Sequence, residues 1–544
     1  MKNIIYIVAS MLLTLSCSES FLAEKPVGEF SPEQAQDEKN IEGIIVSAYA
    51  VLDGVYLSDG INSGCSNWQF GDVVSDDAYK GGGGTGDQNQ IHLMEIFKAN
   101  PTVVDFEARW LALYEGVKRC NQAIRILEAS SFGKKEQRLA EMQFLRAHYY
   151  FNLKIIYNHI PWIDETVVDP SEYASISNMQ FTSDQLWEKI LADFDAAYKV
   201  LPESQADYGR PTKMAAKAYM AKIYLYQSKW QECLNACDEV ILSGKYGLLP
   251  NFRDVFLPEN DNSKEIIFAV QCSINDGSPS DNNGNRGDRL LPPGGPYPLY
   301  GFLRPTQNLV NAYKTGNEGL PLSDGKDIVE TDNVDPRLDH TLARPNIPFL
   351  DLGQLYDWTP REASVYGPYS PKKRLVSLKS NFYSPIWPYL NALNFYVIRY
   401  ADVLLWRAEA AIETSDLETG RKYINEVRSR AKDSQYVKTL DGTKDAANYK
   451  VDIYPAPFAS KEEALTALRT ERRLEMAHEG IRFFDLVRWG IADQVINAYI
   501  DKEKGFRSHL QNAHFTKGTN EYFPIPQSMI DLCGEEVIKQ NPGY

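Results

Sequence analysis

Aromatic rings on irregular stretches of chain, with carboxylates beside them, are the side chains whose types and placement could do chemistry. Trp68, Asp77 and Tyr79 stand on an early stretch, Tyr297, Tyr300 and Phe302 precede the run PTQNLV, and Trp358 and Trp387 come later. A sugar ring has apolar C–H faces and a polar rim, so exposed rings for stacking with carboxylates or amides nearby would make a platform for one. Ordinary loop packing is the alternative for each ring. Asp72, Asp76 and Asp77 read as loop caps, as acceptors for hydroxyls, or as calcium ligands. Trp110, Trp187, Trp230, Trp406 and Trp489 recur at helical spacing among apolar residues and belong to a core instead.

Other constellations fail on their chemistry. Gly81 to Gly86 has the letters of a dinucleotide fingerprint, but the surrounding sequence reads as a flexible loop with no strand before it and no helix directly after. His478-Glu479 opens like a zinc-protease helix, yet Arg482 stands where the second ligand is required. Glu471, Arg472, Arg482, Asp485 and Arg488 are expected to form structural ion pairs. Asp281-x-Asn283-x-Asn285 begins like a calcium loop, but Pro292 occupies the position of the bidentate glutamate. No Gly-x-Ser-x-Gly elbow or His-rich set appears, and adjacent pairs such as Asp76-Asp77 and Asp164-Glu165 point apart, so no enzymatic activity is expected. No cofactor or metal is implied, with a structural calcium ion left open.

The elements that must position these residues are mostly helical. Residues 104–128 and 136–158 have amphipathic spacing, and Pro161 stops the second. Residues 215–247 read as two helices meeting at Gln227-Ser228-Lys229, the size of one tetratricopeptide unit. A second copy follows at one constant offset: Ala408 matches Ala221, Ser415 matches Ser228, Leu417 matches Trp230 and Val427 matches Val240. Helical hairpins are thus expected at 104–158, 184–228, 213–243 and 400–431, about four units sharing a core. Between them, residues 250–390 turn irregular after a strand-like SKEIIFAVQ at 263–271. The order scaffold, insert, scaffold predicts a loop-rich insert with short strands displayed by a rigid frame.

The chain has 544 residues, 43% of them hydrophobic, and its 57 Lys and Arg against 73 Asp and Glu give a net charge of −16. Nucleic acid and anionic lipid are therefore poor partners. Lys2, the apolar run Ile4 to Leu15 and Ser16 before Cys17 read as a secretory signal too short to span a bilayer, and Thr14-Leu15-Ser16-Cys17 resembles a lipobox that would lipidate Cys17. Residues 17–30 suit a flexible tether, with the globular part and a first helix starting near Ser31. The other six cysteines lack disulfide spacing and read as free thiols.

Several motifs fall in the order of one family. FLAEKP at 21–26, FLRAHYYFNL at 144–153, GRPTKMAAKAYMAKIYLYQSKW at 209–230, SKEIIFAV at 263–270, PTQNLVNAY at 305–313 and DPRLD at 335–339 are followed by IRYADVLLWRAEA at 398–410, ERRLEMAHEGIRFFDLVRWG at 471–490, FPIPQSMI at 523–530 and QNPGY at 540–544. Together they resemble the SusD/RagB family along nearly the whole chain, with Trp406 where the family often has Met. The resemblance implies a mostly α fold of four tetratricopeptide-like units in one domain from residue 31 to 544, an N-terminal part to about 250 and a C-terminal part from about 262. It also implies a lipid anchor on the outer membrane facing outward, a SusC-like TonB-dependent transporter as partner, and glycan capture without catalysis. In relatives the platform draws on an early loop and the loop before the PTQ-like motif, which points to Trp68 or Tyr79 with Tyr297 and Tyr300. A peptide or glycopeptide ligand is the rival, for which Lys372, Lys373 and Arg374 would supply charge; a transporter partner with no ligand site is the other.

Overall fold

The computed structural model describes residues 37–55 and 65–544. Cys17, the signal and tether segments and the helix start expected at Ser31 lie outside them. The longer helices are α1 (Glu38–Tyr49), α2 (Val104–Ala129), α3 (Lys135–Tyr157), α4 (Ser183–Val200), α5 (Lys213–Tyr226), α6 (Trp230–Leu242), α7 (Tyr400–Glu413), α8 (Leu417–Asp433), α9 (Lys461–Met476) and α10 (Ala492–Glu503). Among the described residues no helix is long and apolar enough to cross a membrane.

Local signals set the helix ends. Thr182 and Gln185 close a capping box on α4, Thr212 caps α5, Asp416 caps α8 and Ser460 caps α9, each side chain taking up an otherwise orphaned backbone N–H. Successive helices pack pairwise from α2 to α9, as expected for stacked hairpins. The α5–α6 and α7–α8 turns match in backbone as well as sequence, for Ser228 and Ser415 both take the left-handed region, at φ 54° and 70°. In α8, a Cβ on Gly420 would come within 2.4 Å of Ile412 Cγ1, so only glycine permits that close approach of α7.

Helix α6 packs on α7 although the whole insert lies between them in sequence, so the insert leaves and re-enters the stack at adjacent points. Strands β2 (Ile266–Val270) and β4 (Phe395–Arg399) pair antiparallel at that neck. A second antiparallel pair, β1 (Ala78–Gly81) with β3 (Phe302–Pro305), ties the early segment to the insert. The insert has its own core, with Phe252, Phe256, Leu291, Tyr297, Phe349 and Leu393 buried together.

A buried ionic network fastens insert to scaffold. Arg337 pairs with Asp335, Glu471 and Glu475, and Arg399 with Glu265, Glu475 and Glu479. Arg428 pairs with Glu471, Arg430 with Glu265 and Glu475, and Lys373 with Glu479. Carboxylates and cations balance, which is the condition under which buried charge is tolerated. The expected scaffold pairs form too: Arg472 with Asp485, Arg482 with Asp76, and Arg488 with Asp485 and Glu409. All six cysteines past Cys17 are free thiols.

Candidate glycan-binding face

The insert presents its exposed aromatics on a hairpin spanning residues 382–392. Ala392 N–H donates to the Phe382 carbonyl at 2.9 Å and Ser384 N–H to that of Leu390 at 2.8 Å, while Tyr389 N–H closes the tip on Ile386 at 2.7 Å. Leu393 anchors the base in the insert core and Leu390 is fully buried beside it, leaving Ile386 72% and Trp387 63% exposed at the tip. The Trp387–Pro388 peptide is cis. An indole so exposed is an unusual use of the most apolar-rich side chain and fits a surface meant to be covered.

Arg289 lies beneath this ring, its guanidinium carbon 5.3 Å from the Trp387 centroid. That contact holds the indole over the guanidinium, whose Nε is buried with no hydrogen-bond partner. Asn285, four residues earlier, joins this turn to the hairpin through its N–H on the Asn391 carbonyl at 2.8 Å. Tyr383 stacks edge-on against Tyr297, centroids 6.0 Å apart. Burial first, then the neighbouring phenols of Tyr389 and Tyr300, push Tyr383 up to about 12, which groups the three tyrosines at one place. Tyr300 and Trp358 are half-buried against the insert core. Trp358 seats over Gly295, where a Cβ would come within 2.6 Å of the indole, and its Nε1–H has no partner.

The other anticipated residues are turned inward. Trp68 is 2% exposed and donates Nε1–H to the Gly287 carbonyl at 3.0 Å. Tyr79, wholly buried, donates its hydroxyl to Glu503 at 2.5 Å, and Tyr297 donates to the Val376 carbonyl at 2.9 Å. Asp77 accepts from Arg473 at 2.7 Å. The three rings are covered by the protein itself, and the Asp77 carboxylate is buried against Arg473, so all four side chains face inward. Their sequence context could not tell a loop aromatic that docks inward from one that docks outward. Arg289, Tyr389 and Phe382, which the sequence reading did not single out, lie on or against this hairpin. The prolines bracketing Trp387 in SPIWPY were the available signal, because they mark a turn tip.

Three further expectations change. A strand, β1, does precede the Gly81–Gly86 run, and a short helix, Asn89–Glu95, follows soon after. The run nevertheless turns its carbonyls inward: the Lys80 ammonium donates to those of Gly81 and Gly84 at 2.9 Å and of Asp87 at 2.5 Å, the reverse of a phosphate cradle. Asp76 is taken by arginines; burial alone would raise its carboxyl, but Arg473 and Arg482 overcome it and hold it at about 2. Among the described residues no three His, Cys, Asp or Glu side chains are disposed to hold a metal. Of the basic triplet, Lys373 pairs inward with Glu479 at 2.6 Å and Arg374 with Asp288 at 2.6 Å, so it is no exposed cluster for a charged peptide.

Comparison with known proteins places this architecture. Residues 264–544 match the SusD family model, and residues 29–225 match one described as starch-binding associating with outer membrane. A SusD-like protein, P25, of Formosa agariphila is 26% identical over 91% of both chains, and one of Bacteroides ovatus is 23% identical over 99% of this chain and 95% of its own. Among solved structures, a laminarin-binding SusD-like protein is 25% identical with a TM-score of 0.69 over 94% of this chain and all of that one. Surface glycan-binding protein A of Bacteroides thetaiotaomicron, solved with laminarihexaose, is 24% identical with a TM-score of 0.70 over 92% and 99% of the two chains, a likeness of fold. With more than half its length matched by that family's model, the chain belongs to the SusD family.

Proposed function

We propose that this chain is a cell-surface glycan-binding lipoprotein. In this reading it captures a polysaccharide or oligosaccharide on the insert face around Trp387, Tyr300 and Trp358 and delivers it to a SusC-like TonB-dependent transporter. A signal at residues 1–16 would be removed, Cys17 lipidated in the outer membrane, and residues 17–30 would tether one domain running from 31 to 544. Its role is binding and not catalysis, in keeping with the names of its relatives. The observation that carries the reading is the exposed Trp387 indole held over Arg289. A stacked ring covering roughly 40–50 Å² of sugar contributes about 1 kcal/mol, so a few rings give weak single-site binding that many surface copies would strengthen.

Affinity electrophoresis of the Cys17→Ala chain against plant, host and microbial polysaccharides, laminarin and starch included, tests it. Retardation by at least one glycan, reduced in Trp387→Ala, is expected. Absence of retardation by every glycan would overturn capture and leave the transporter-partner role alone.

A further inference from the structure

A cavity of about 550 Å³ opens on the insert beside the hairpin, with Arg253, Lys372, Lys379 and Lys438 on its wall. Only two carboxylates, Glu259 and Asp351, share that wall. Lys438 is paired with Asp445 at 2.6 Å. The other three cations donate only to backbone carbonyls among the described residues. Arg253 reaches those of Lys373 at 2.7 Å and Leu375 at 3.0 Å, Lys372 that of Pro348 at 3.2 Å, and Lys379 that of Asp351 at 2.5 Å.

Such an arrangement is costly in a chain with an excess of carboxylates. Nearby cations of the same insert show the ordinary solution, since Lys373, Arg374 and Arg344 each hold a carboxylate within 2.7 Å. Lys372 is 3% exposed, and burial draws it down to about 8 against a partial upward pull from Asp339. Arg253 is likewise lowered by burial, which outweighs the upward pulls of Asp351 and Asp254. Both behave as cations short of a counter-charge that an oxyanion in the cavity would supply.

The rest of the wall narrows the occupant. Ser377 and Ser380 donate their hydroxyls to the two wall carboxylates, Asp351 at 2.5 Å and Glu259 at 3.3 Å, which occupies those acids, and Leu257, Pro258 and Leu350 bring the apolar surface a sugar ring requires. Val376, also on the wall, accepts the Tyr297 hydroxyl from beneath the aromatic face, and the chain runs from Ser380 directly into the hairpin that carries Trp387. We propose that this cavity takes the carboxylate or sulfate ester of an acidic sugar unit, so that the captured glycan is anionic; this rests on glycan capture by the insert.

The test compares the Cys17→Ala chain with matched charged and neutral polymers: polygalacturonate against its carboxyl-reduced form, and dextran sulfate against dextran. Affinity electrophoresis is run alongside Lys379→Gln and Arg253→Gln variants, with polyglutamate as the acidic-peptide control. A preference for the charged member of at least one pair, about tenfold, is expected, falling several-fold in each variant. Lys379 is exposed, so its variant reports even if Arg253→Gln fails to fold. Equal binding within both pairs, or failure of all four polymers while another glycan of the wider panel is retained, would overturn the anion site and leave capture intact; failure of the whole panel, laminarin and starch included, would overturn both. Polyglutamate bound as tightly as the acidic glycan would replace the sugar with an acidic peptide.

Discussion

Neutralising Glu475 by Glu475→Gln removes one charge from the middle of the network joining insert to scaffold. Its carboxylate lies 2.8 Å from Arg399 and 3.1 Å from Arg337, and it also pairs with Arg430, all side chains nearly free of solvent. Burial would raise this carboxyl, but Arg430, Arg399, Arg337 and Lys373 together hold it far below the usual range. Glutamine keeps the shape and strands a net positive charge in the interior, for which the expected cost is about 3–5 kcal/mol. Unfolding entropy of about 2.1 cal/mol/K per residue makes each kcal/mol worth about 1 °C in a chain of this size, so Tm should fall by about 3–5 °C. Since Lys373, Asp335 and Arg337 sit on the insert side, hydrogen exchange should quicken first there and at the β2–β4 neck, before α2–α6. A Tm within half a degree of the parent, or exchange that rises evenly through the helical stack, would refute the view that these charges clamp the insert.

Trp387→Ala should weaken glycan binding about fivefold, the worth of one stacked ring, and leave Tm nearly unchanged because the indole is exposed and rests only on Arg289, outside the insert core; a clearly lowered Tm would mean the ring is structural. Tyr297→Ala should do the opposite, opening a cavity worth about 3–5 kcal/mol and lowering Tm by about as many degrees in differential scanning calorimetry. Acid should destabilise the fold. Arg399 and Lys373 overcome burial to hold Glu479 at about 2, and Asp76 is likewise at about 2, both below their unfolded values near 4. Their stabilisation is complete above about pH 4.5 and is lost as pH falls toward 2. A melting temperature that stays level from pH 6 to pH 3 would contradict this.

What the sequence disclosed followed its range of interaction. Residues 104–128 and 136–158 could be read to within a residue or so because helical periodicity is local, and the match of Ser415 to Ser228 held down to the backbone because both are single residues turning one hairpin. The pair of Arg488 with Asp485 was legible for the same reason, one helical turn apart, whereas Arg472 reaches Asp485 on another helix and Arg488 reaches Glu409, 79 residues away. The direction of a loop aromatic is another matter. Trp68 turns inward because the Gly287 carbonyl waits for its N–H, and Tyr79 because Glu503 waits for its hydroxyl, partners far along the chain that no window around residue 68 or 79 contains.

The same logic explains why Trp387 stays outside. Pro385 and Pro388 deny it a place in any ladder, and the hairpin beneath is already filled by Leu390 and Leu393. Arg289 offers a face and not a pocket. The insert can vary at that tip and in the neighbouring cation-lined cavity without disturbing its own core or the network at its neck, because neither Trp387 nor Lys379 carries a contact on which the stack depends. Ligand choice is therefore free to change on a scaffold that is held constant, and the residues that hold it constant are the buried ones most easily mistaken for the site.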